Sequence, residues 1–342
     1  MSETVFIGMI VFVFGLIIGS FLNVCIVRLP KEKSVIVPSS HCLDCQHSIP
    51  WYDNIPLLSF IVLRGKCRFC GAPISFRYFL VELLTGLGFL GFYLYFGLRP
   101  VFWAYSVMLA GFIIATFIDF EHRIIPDEIS IGGMYVGLVF SVLIPALHQI
   151  SWERLWIGRY LMWGLVVFGL AGTYLMEKLL KKNPPEEEEV DRSVLYFLAV
   201  CLASDLMIVF SARFLASGRL DFMIPSLLSL DAAIIGLLIG GGIIYGMGLM
   251  GDLIFRKESM GGGDIKLMAM IGAFLGWDHA VLTFFLAPFL GAGYGIYEKI
   301  RTKNSAIPYG PFIVGAALIS LFWGDQIIGW IIREYSMPVM PV

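Results

Sequence analysis

The stretch TVFIGMIVFVFGLIIGSFLNVCIV, residues 4–27, carries no charged side chain in 24 positions. As a helix it would be about 36 Å long at ~1.5 Å per residue, enough to cross a hydrocarbon core of about 30 Å. Arg28, Lys31 and Lys33 follow it at once. The residues before it, Met1-Ser2-Glu3, carry no positive charge, and no small-residue cleavage site follows. It therefore reads as a retained anchor with its N-terminus outside, not as a signal peptide.

The rest of the 342-residue chain repeats the pattern. Hydrophobic residues make up 58%, charged residues 15%, and the mean hydropathy is +0.83. Those values exclude a disordered chain and a soluble globular fold. Lys and Arg number 24 against 26 Asp and Glu, net −2, which excludes a strongly basic nucleic-acid binder. Six Cys do not make a disulfide-dense scaffold.

Apolar runs predict spans at 4–27, 77–98, 101–119, 129–148, 157–177, 194–212, 229–253, 265–277, 279–297 and 309–332. With the N-terminus outside, 18 of the 24 Lys and Arg fall on the cytoplasmic side. The expected fold is an all-α polytopic membrane protein of about 8–10 transmembrane helices with a small cytoplasmic zinc-ribbon-like tetracysteine segment. Its parts are a first span (1–27), the tetracysteine segment (28–76), spans at 77–148, a segment at 149–228 with two spans, and spans at 229–342. The loop KKNPPEEEEVDRS (181–193) reads as a solvated linker.

Cys42 and Cys45 form one C-x-x-C pair, Cys67 and Cys70 another. Each pair turns two thiolates toward one point, and two pairs complete a tetrahedral S4 site that suits Zn²⁺. Gly71 follows the second pair, where a tight knuckle favours a residue without Cβ strain. Disulfides or a redox pair are the rival, but the segment is expected in the reducing cytoplasm. His41 and His47 flank the first pair and read as bystanders. Cys25 and Cys201 fall in apolar runs and read as buried small hydrophobes.

Acidic residues adjoining a span are costly and usually have a purpose. Asp119 ends the third span in FIDFEHRIIPD, and Asp264 opens the eighth in MGGGDIKLMA. Both are expected at the cytoplasmic edge. Gly261 to Gly263 would let an extended strand approach. Two adjacent carboxylates share a proton: one takes a proton from water, the other donates to a peptide carbonyl. The rival is that each merely caps a helix or pairs with a cation. Asp264 is placed as an N-cap near Lys266, and Asp127 as the N-cap of the fourth span. Glu82, in the second span, could stabilise the site, accept an amine, or pair with Arg77.

These residues resemble the bacterial type IV prepilin peptidase family, the GxGD-type aspartic endopeptidases. GSFLNVCIVRLP (19–30) resembles its first-span signature, and residues 41–86 its tetracysteine domain and second span. DFEHRIIPD (119–127) and GGGDIK (261–266) are similar to its two aspartate motifs, and IPYGPF (307–312) to its C-terminal motif. The resemblance covers roughly 1–148 and 229–320. Residues 149–228 have no counterpart in compact members.

The resemblance implies an endopeptidase of the bacterial inner membrane. It would cleave the leader of type IV prepilins and type II secretion pseudopilins at the cytoplasmic face. It would also N-methylate the new terminus with S-adenosylmethionine. By motif position the catalytic pair falls on Asp119 and Asp264 and the zinc ligands on Cys42, Cys45, Cys67 and Cys70. Asp127, Glu82, Gly261, Gly263 and Lys266 would support the site. Partners are prepilins and lipid, not nucleic acid; the sequence fixes neither the oligomeric state nor the S-adenosylmethionine site. The alternatives are a peptidase-only member or a proton-coupled transporter using the same carboxylates.

Overall fold

A computed structural model describes residues 3–148, 152–180, 201–203, 205–206, 223–255, 260–302 and 308–335. The chain divides into two compact units, Met1–Ile129 and Ser130–Val342. Among the described residues there is no strand, only two isolated antiparallel bridges, His41–Ser48 and Lys66–Pro73. The first unit contains α1 (Glu3–Arg28), α2 (Leu58–Val62), α3 (Phe76–Phe96) and α4 (Pro100–His122). Helix α5 (Asp127–Leu143) begins there and lies mainly in the second. That unit continues with α6 (Trp152–Leu180), α7 (Ile224–Phe255), α8 (Gly262–Leu275), α9 (Trp277–Thr302) and α10 (Gly310–Tyr335).

Seven of these helices, α1, α3, α4, α6, α7, α9 and α10, are long and apolar enough to cross a membrane. Two of the ten expected spans come out differently, and a third is not tested. Helix α5 stops at Leu143, short of the expected residue 148, because Pro145 forces Ile144 out of the helical region, to φ −129° and ψ 77°. Helix α8 has 14 residues, about 21 Å at ~1.5 Å each, and Gly276 ends it with φ +85°. The span at 194–212 lies outside the described residues except for helical residues 201–203 and 205–206, and the acidic loop at 181–193 lies wholly outside them.

Helix α1 is inverted relative to a soluble helix. Phe6, Ile10, Val13 and Ile17 face outward, each slightly more than half exposed. Its glycines face inward: a Cβ on Gly15 would lie 2.9 Å from the Gly86 Cα, and one on Gly19 only 2.7 Å from the Glu82 Cα. Water would penalise that arrangement, whereas lipid does not, and small residues let helix backbones meet.

The second unit uses the same device more tightly. A Cβ on Gly272 of α8 would fall 1.9 Å from the Gly236 carbonyl oxygen of α7, and one on Gly236 only 2.1 Å from the Gly272 oxygen. Gly240 likewise sits over the Met268 oxygen at 2.4 Å. Leu267 to Leu275 are all buried, so protein encloses nearly the whole of α8 beyond its first turn.

Helix α6 is tied to α7 by an apolar cluster that includes Leu155, Met162, Val166, Ile235 and Ile239. Buried Arg159 adds an ion pair to Asp231 of α7 at 2.7 Å and another to Asp205, whose second oxygen accepts the Trp163 indole N–H at 2.9 Å. Cys25 and Cys201 are buried among apolar neighbours, as expected.

Two stability outcomes follow. Gly272→Ala should destabilise the chain by about 1–3 kcal/mol, the usual range for overpacking, whereas Gly91→Ala, whose Cβ meets nothing within 4 Å, should stay within about 0.5 kcal/mol. Arg159→Met strands two carboxylates and should lose about 3–5 kcal/mol. Unfolding in detergent, followed by circular dichroism, measures all three.

Candidate active site and metal centre

The tetracysteine segment folds as two matching knuckles. In the first, the Cys42 N–H donates to the His47 carbonyl at 2.9 Å and Gln46 N–H returns to Cys42 O at 3.0 Å. In the second, Cys67 N–H donates to Ala72 O at 2.8 Å and Gly71 N–H to Cys67 O at 2.9 Å. The residue after the second cysteine takes positive φ in both: +72° at Gly71, as expected, and +58° at Gln46. The first knuckle thus accepts strain that Gly removes from the second. Arg68 clasps Asp53 through two bonds, 2.7 and 2.6 Å, bracing the second knuckle against the Trp51–Asp53 turn.

All four Sγ atoms lie within 4.8 Å of one another, and Cys42 Sγ is 3.9 Å from Cys70 Sγ. Zn–S bonds of about 2.3 Å place the corners of a tetrahedron about 3.8 Å apart, so the donor set fits zinc. The thiols differ in acidity. Backbone N–H groups of Cys70 and Phe69 pull Cys67 down to about 7. Cys70 gains from the Ala72 N–H, but loss of water and the thiols of Cys45, Cys67 and Cys42 push it up to about 12. Four thiolates at one point need a cation. The flanking histidines are engaged elsewhere: His41 Nδ1 lies 2.9 Å from Ser39 O, and the His47 ring is 3.6 Å from that of Phe69.

Asp119 is buried in the last turn of α4. Arg123, left-handed at φ 57°, ends the helix by returning its N–H to Asp119 O at 2.9 Å. A helix C-terminus is the unfavourable pole for a carboxylate, so local helix stability gives no reason for Asp119. Asp264 has the opposite setting, in the first turn of α8. Gly261 is the N-cap, so Asp264 is at N3 and not the N-cap expected; its N–H donates to Gly261 O at 3.1 Å. Asp127 is likewise the first residue of α5 and not its cap. Both acids suit the positive pole of their helices.

Gly262 and Gly263 are helical, so only Gly261 is extended, at φ −73° and ψ 136°. Their contribution is space: a Cβ on Gly262 would meet nothing within 4 Å, and one on Gly261 would come 3.5 Å from Asp264 Oδ2. Lys266 is half-buried on the same helix. Tyr309, which the sequence reading did not single out, sits beside Asp264. Burial and then the Asp264 charge push its phenol up to about 12. Its setting in IPYGPF, between prolines and before α10, was the available signal.

Glu82 belongs to neither aspartate's helix. It does not pair with Arg77, which binds Glu121 instead. The Leu57 N–H donates to Glu82 Oε2 at 2.8 Å. Glu82 lines a cavity of about 470 Å³ between the cytoplasm-expected ends of α1 and α3 and the tetracysteine segment.

The unequal thiols give a pH outcome. In metal-stripped protein, iodoacetamide should alkylate Cys67 with a half-maximal rate near pH 7, because only the thiolate reacts. Cys70 should react last, and zinc should protect all four. Mass spectrometry of the alkylated peptides reads each site.

A family model described as the bacterial peptidase A24 N-terminal domain matches residues 13–96. A second, for the type IV leader peptidase family, matches 191–296. The latter includes Asp264 and begins within the segment that had no counterpart in compact members. The chain is 28% identical to the prepilin leader peptidase/N-methyltransferase of Aeromonas hydrophila, over 95% of this chain and 94% of that protein. It is 28% identical to the one from Legionella pneumophila, over 96% and 95%, and 30% identical to that of Myxococcus xanthus, over 86% and 64%. No solved structure matches. With both models falling in order on a helical chain that carries the tetracysteine cluster, this protein belongs to the type IV leader peptidase family.

Proposed function

We propose that this chain is an aspartic endopeptidase of the bacterial inner membrane. It removes the leader from type IV prepilins and type II secretion pseudopilins at the cytoplasmic face, then methylates the exposed amine. The named relatives support the two activities. The seven apolar helices support the membrane setting, and the bias of Lys and Arg supports an outside N-terminus and an inward-facing site.

Asp119 and Asp264 are the catalytic pair. The carrying observation is the setting of Asp119: a buried carboxylate at the unfavourable end of its helix. One carboxylate of the pair takes a proton from the attacking water while the other, protonated, donates to the scissile carbonyl oxygen. The open backbone at Gly261 and Gly262 leaves room for an extended substrate strand beside Asp264. Asp127 and Lys266 support the site electrostatically. A basic leader is drawn to these acids and to anionic lipid. The Cys42, Cys45, Cys67 and Cys70 site holds structural zinc, which orders a segment too small to bury a core of its own. S-adenosylmethionine supplies the methyl group.

Purified protein incubated with a prepilin in liposomes should release the leader mass and, with S-adenosylmethionine, add one methyl mass. Asp119→Asn and Asp264→Asn should each lower cleavage at least ~100-fold while still methylating a pilin cut beforehand. Methylation that fails with wild type would mark a peptidase-only enzyme. An uncut prepilin, with ion flux lost in the same variants, would favour a transporter.

A further inference from the structure

One unexplained feature of the first unit is the cavity of about 470 Å³ beside the tetracysteine segment. That volume falls within the range of about 300–1,000 Å³ typical of sites for cofactor-sized ligands. One of its polar wall groups is not satisfied by the fold alone, and a second is a buried carboxylate. Asn23, in α1, is only 2% exposed. Its Nδ2 donates to the Tyr78 carbonyl at 3.0 Å, which fixes the amide's orientation, and its buried Oδ1 then has no partner. Buried polar oxygens are rarely left so. Glu82, buried on α3, accepts from the Leu57 N–H and the Ser20 hydroxyl, and its two oxygens keep capacity for a further donor. Leu57 adopts φ +58°, a conformation strained for its residue type, to make that bond.

This part of the wall therefore offers hydrogen-bond acceptors and one negative charge. Lys31 and Lys33 line another part of the cavity, and Phe60 and Phe79 supply aromatic surface. The complement is a flat, apolar-bodied zwitterion with cationic and N–H groups at one place and a carboxylate at another. A sulfonium-bearing adenosyl amino acid has that chemistry.

We propose that this cavity is the S-adenosylmethionine site, with Glu82 and Asn23 Oδ1 holding its cationic and N–H groups and Lys31 or Lys33 its carboxylate. The assignment rests on the methyltransferase half of the function proposed above and places it wholly within Met1–Ile129. The obvious rival occupant is the N-terminal amine of the mature pilin, which is also a donor and a cation.

Ultraviolet cross-linking of methyl-labelled S-adenosylmethionine to the full-length protein in detergent, followed by peptide mapping, locates the site without requiring turnover. Label should appear on peptides covering residues 20–33 or 60–82 and be displaced by S-adenosylhomocysteine. Asn23→Leu should weaken equilibrium binding at least tenfold. Label confined to residues 223–335, or no binding by a wild-type protein that still removes leaders, would overturn the assignment and leave the peptidase reading standing. Displacement by a mature pilin peptide but not by S-adenosylhomocysteine would give the cavity to the acceptor chain instead. A wild type that neither binds nor cleaves would sink both readings.

Discussion

Helices α7 and α8 approach until Gly236 and Gly272 meet backbone to backbone, closer than any Cβ allows. In lipid there is no hydrophobic drive to hold helices together, so stability comes from dispersion and short polar contacts at close range. That approach holds α8, a helix too short to span a bilayer, inside its unit with almost every side chain beyond the first turn buried. The one polar turn that α8 presents carries Asp264. The first unit repeats the solution at Gly15, Gly19 and Gly86, and there the same contact brings Glu82 against α1.

The two aspartates are built on opposite principles. Asp264 lies where a helix welcomes a negative charge, Asp119 where it does not. Under the proposed function, Asp119 is kept in that setting for its chemistry. Two such acids would form an asymmetric pair from equal side chains. Tyr309 adds a phenol beside one of them, held neutral over the ordinary pH range.

The tetracysteine segment has a further role beyond folding itself. Its knuckles, braced by Arg68 on Asp53, roof a cavity whose other walls are helix ends. Leu57, whose strained backbone reaches Glu82, connects roof and wall. With zinc in the knuckles, as proposed, its loss would be felt at the cavity, because the segment has little apolar core to hold its shape otherwise.

The sequence by itself determined the solvent. Long uncharged runs can be satisfied only as helices in lipid, which is why α1, α3, α4, α6, α7, α9 and α10 were legible to within five residues at each end. Paired C-x-x-C spacing marked the four thiols that come together in a cluster able to hold a metal, since two residues between thiols leave few ways to turn. Local pattern served less well at helix starts, where Asp127 and Asp264 proved to be inside the first turn and not caps, and at Leu143, where Pro145 cut a span short. Only the tertiary structure decided which partners meet: Glu82 with Leu57 and not Arg77, Arg159 with Asp205 and Asp231, Tyr309 with Asp264, and the orphan oxygen of Asn23 with a cavity. Those choices depend on how glycine faces bring distant helices together, and hydropathy, which averages over each segment, carries no record of that pairing.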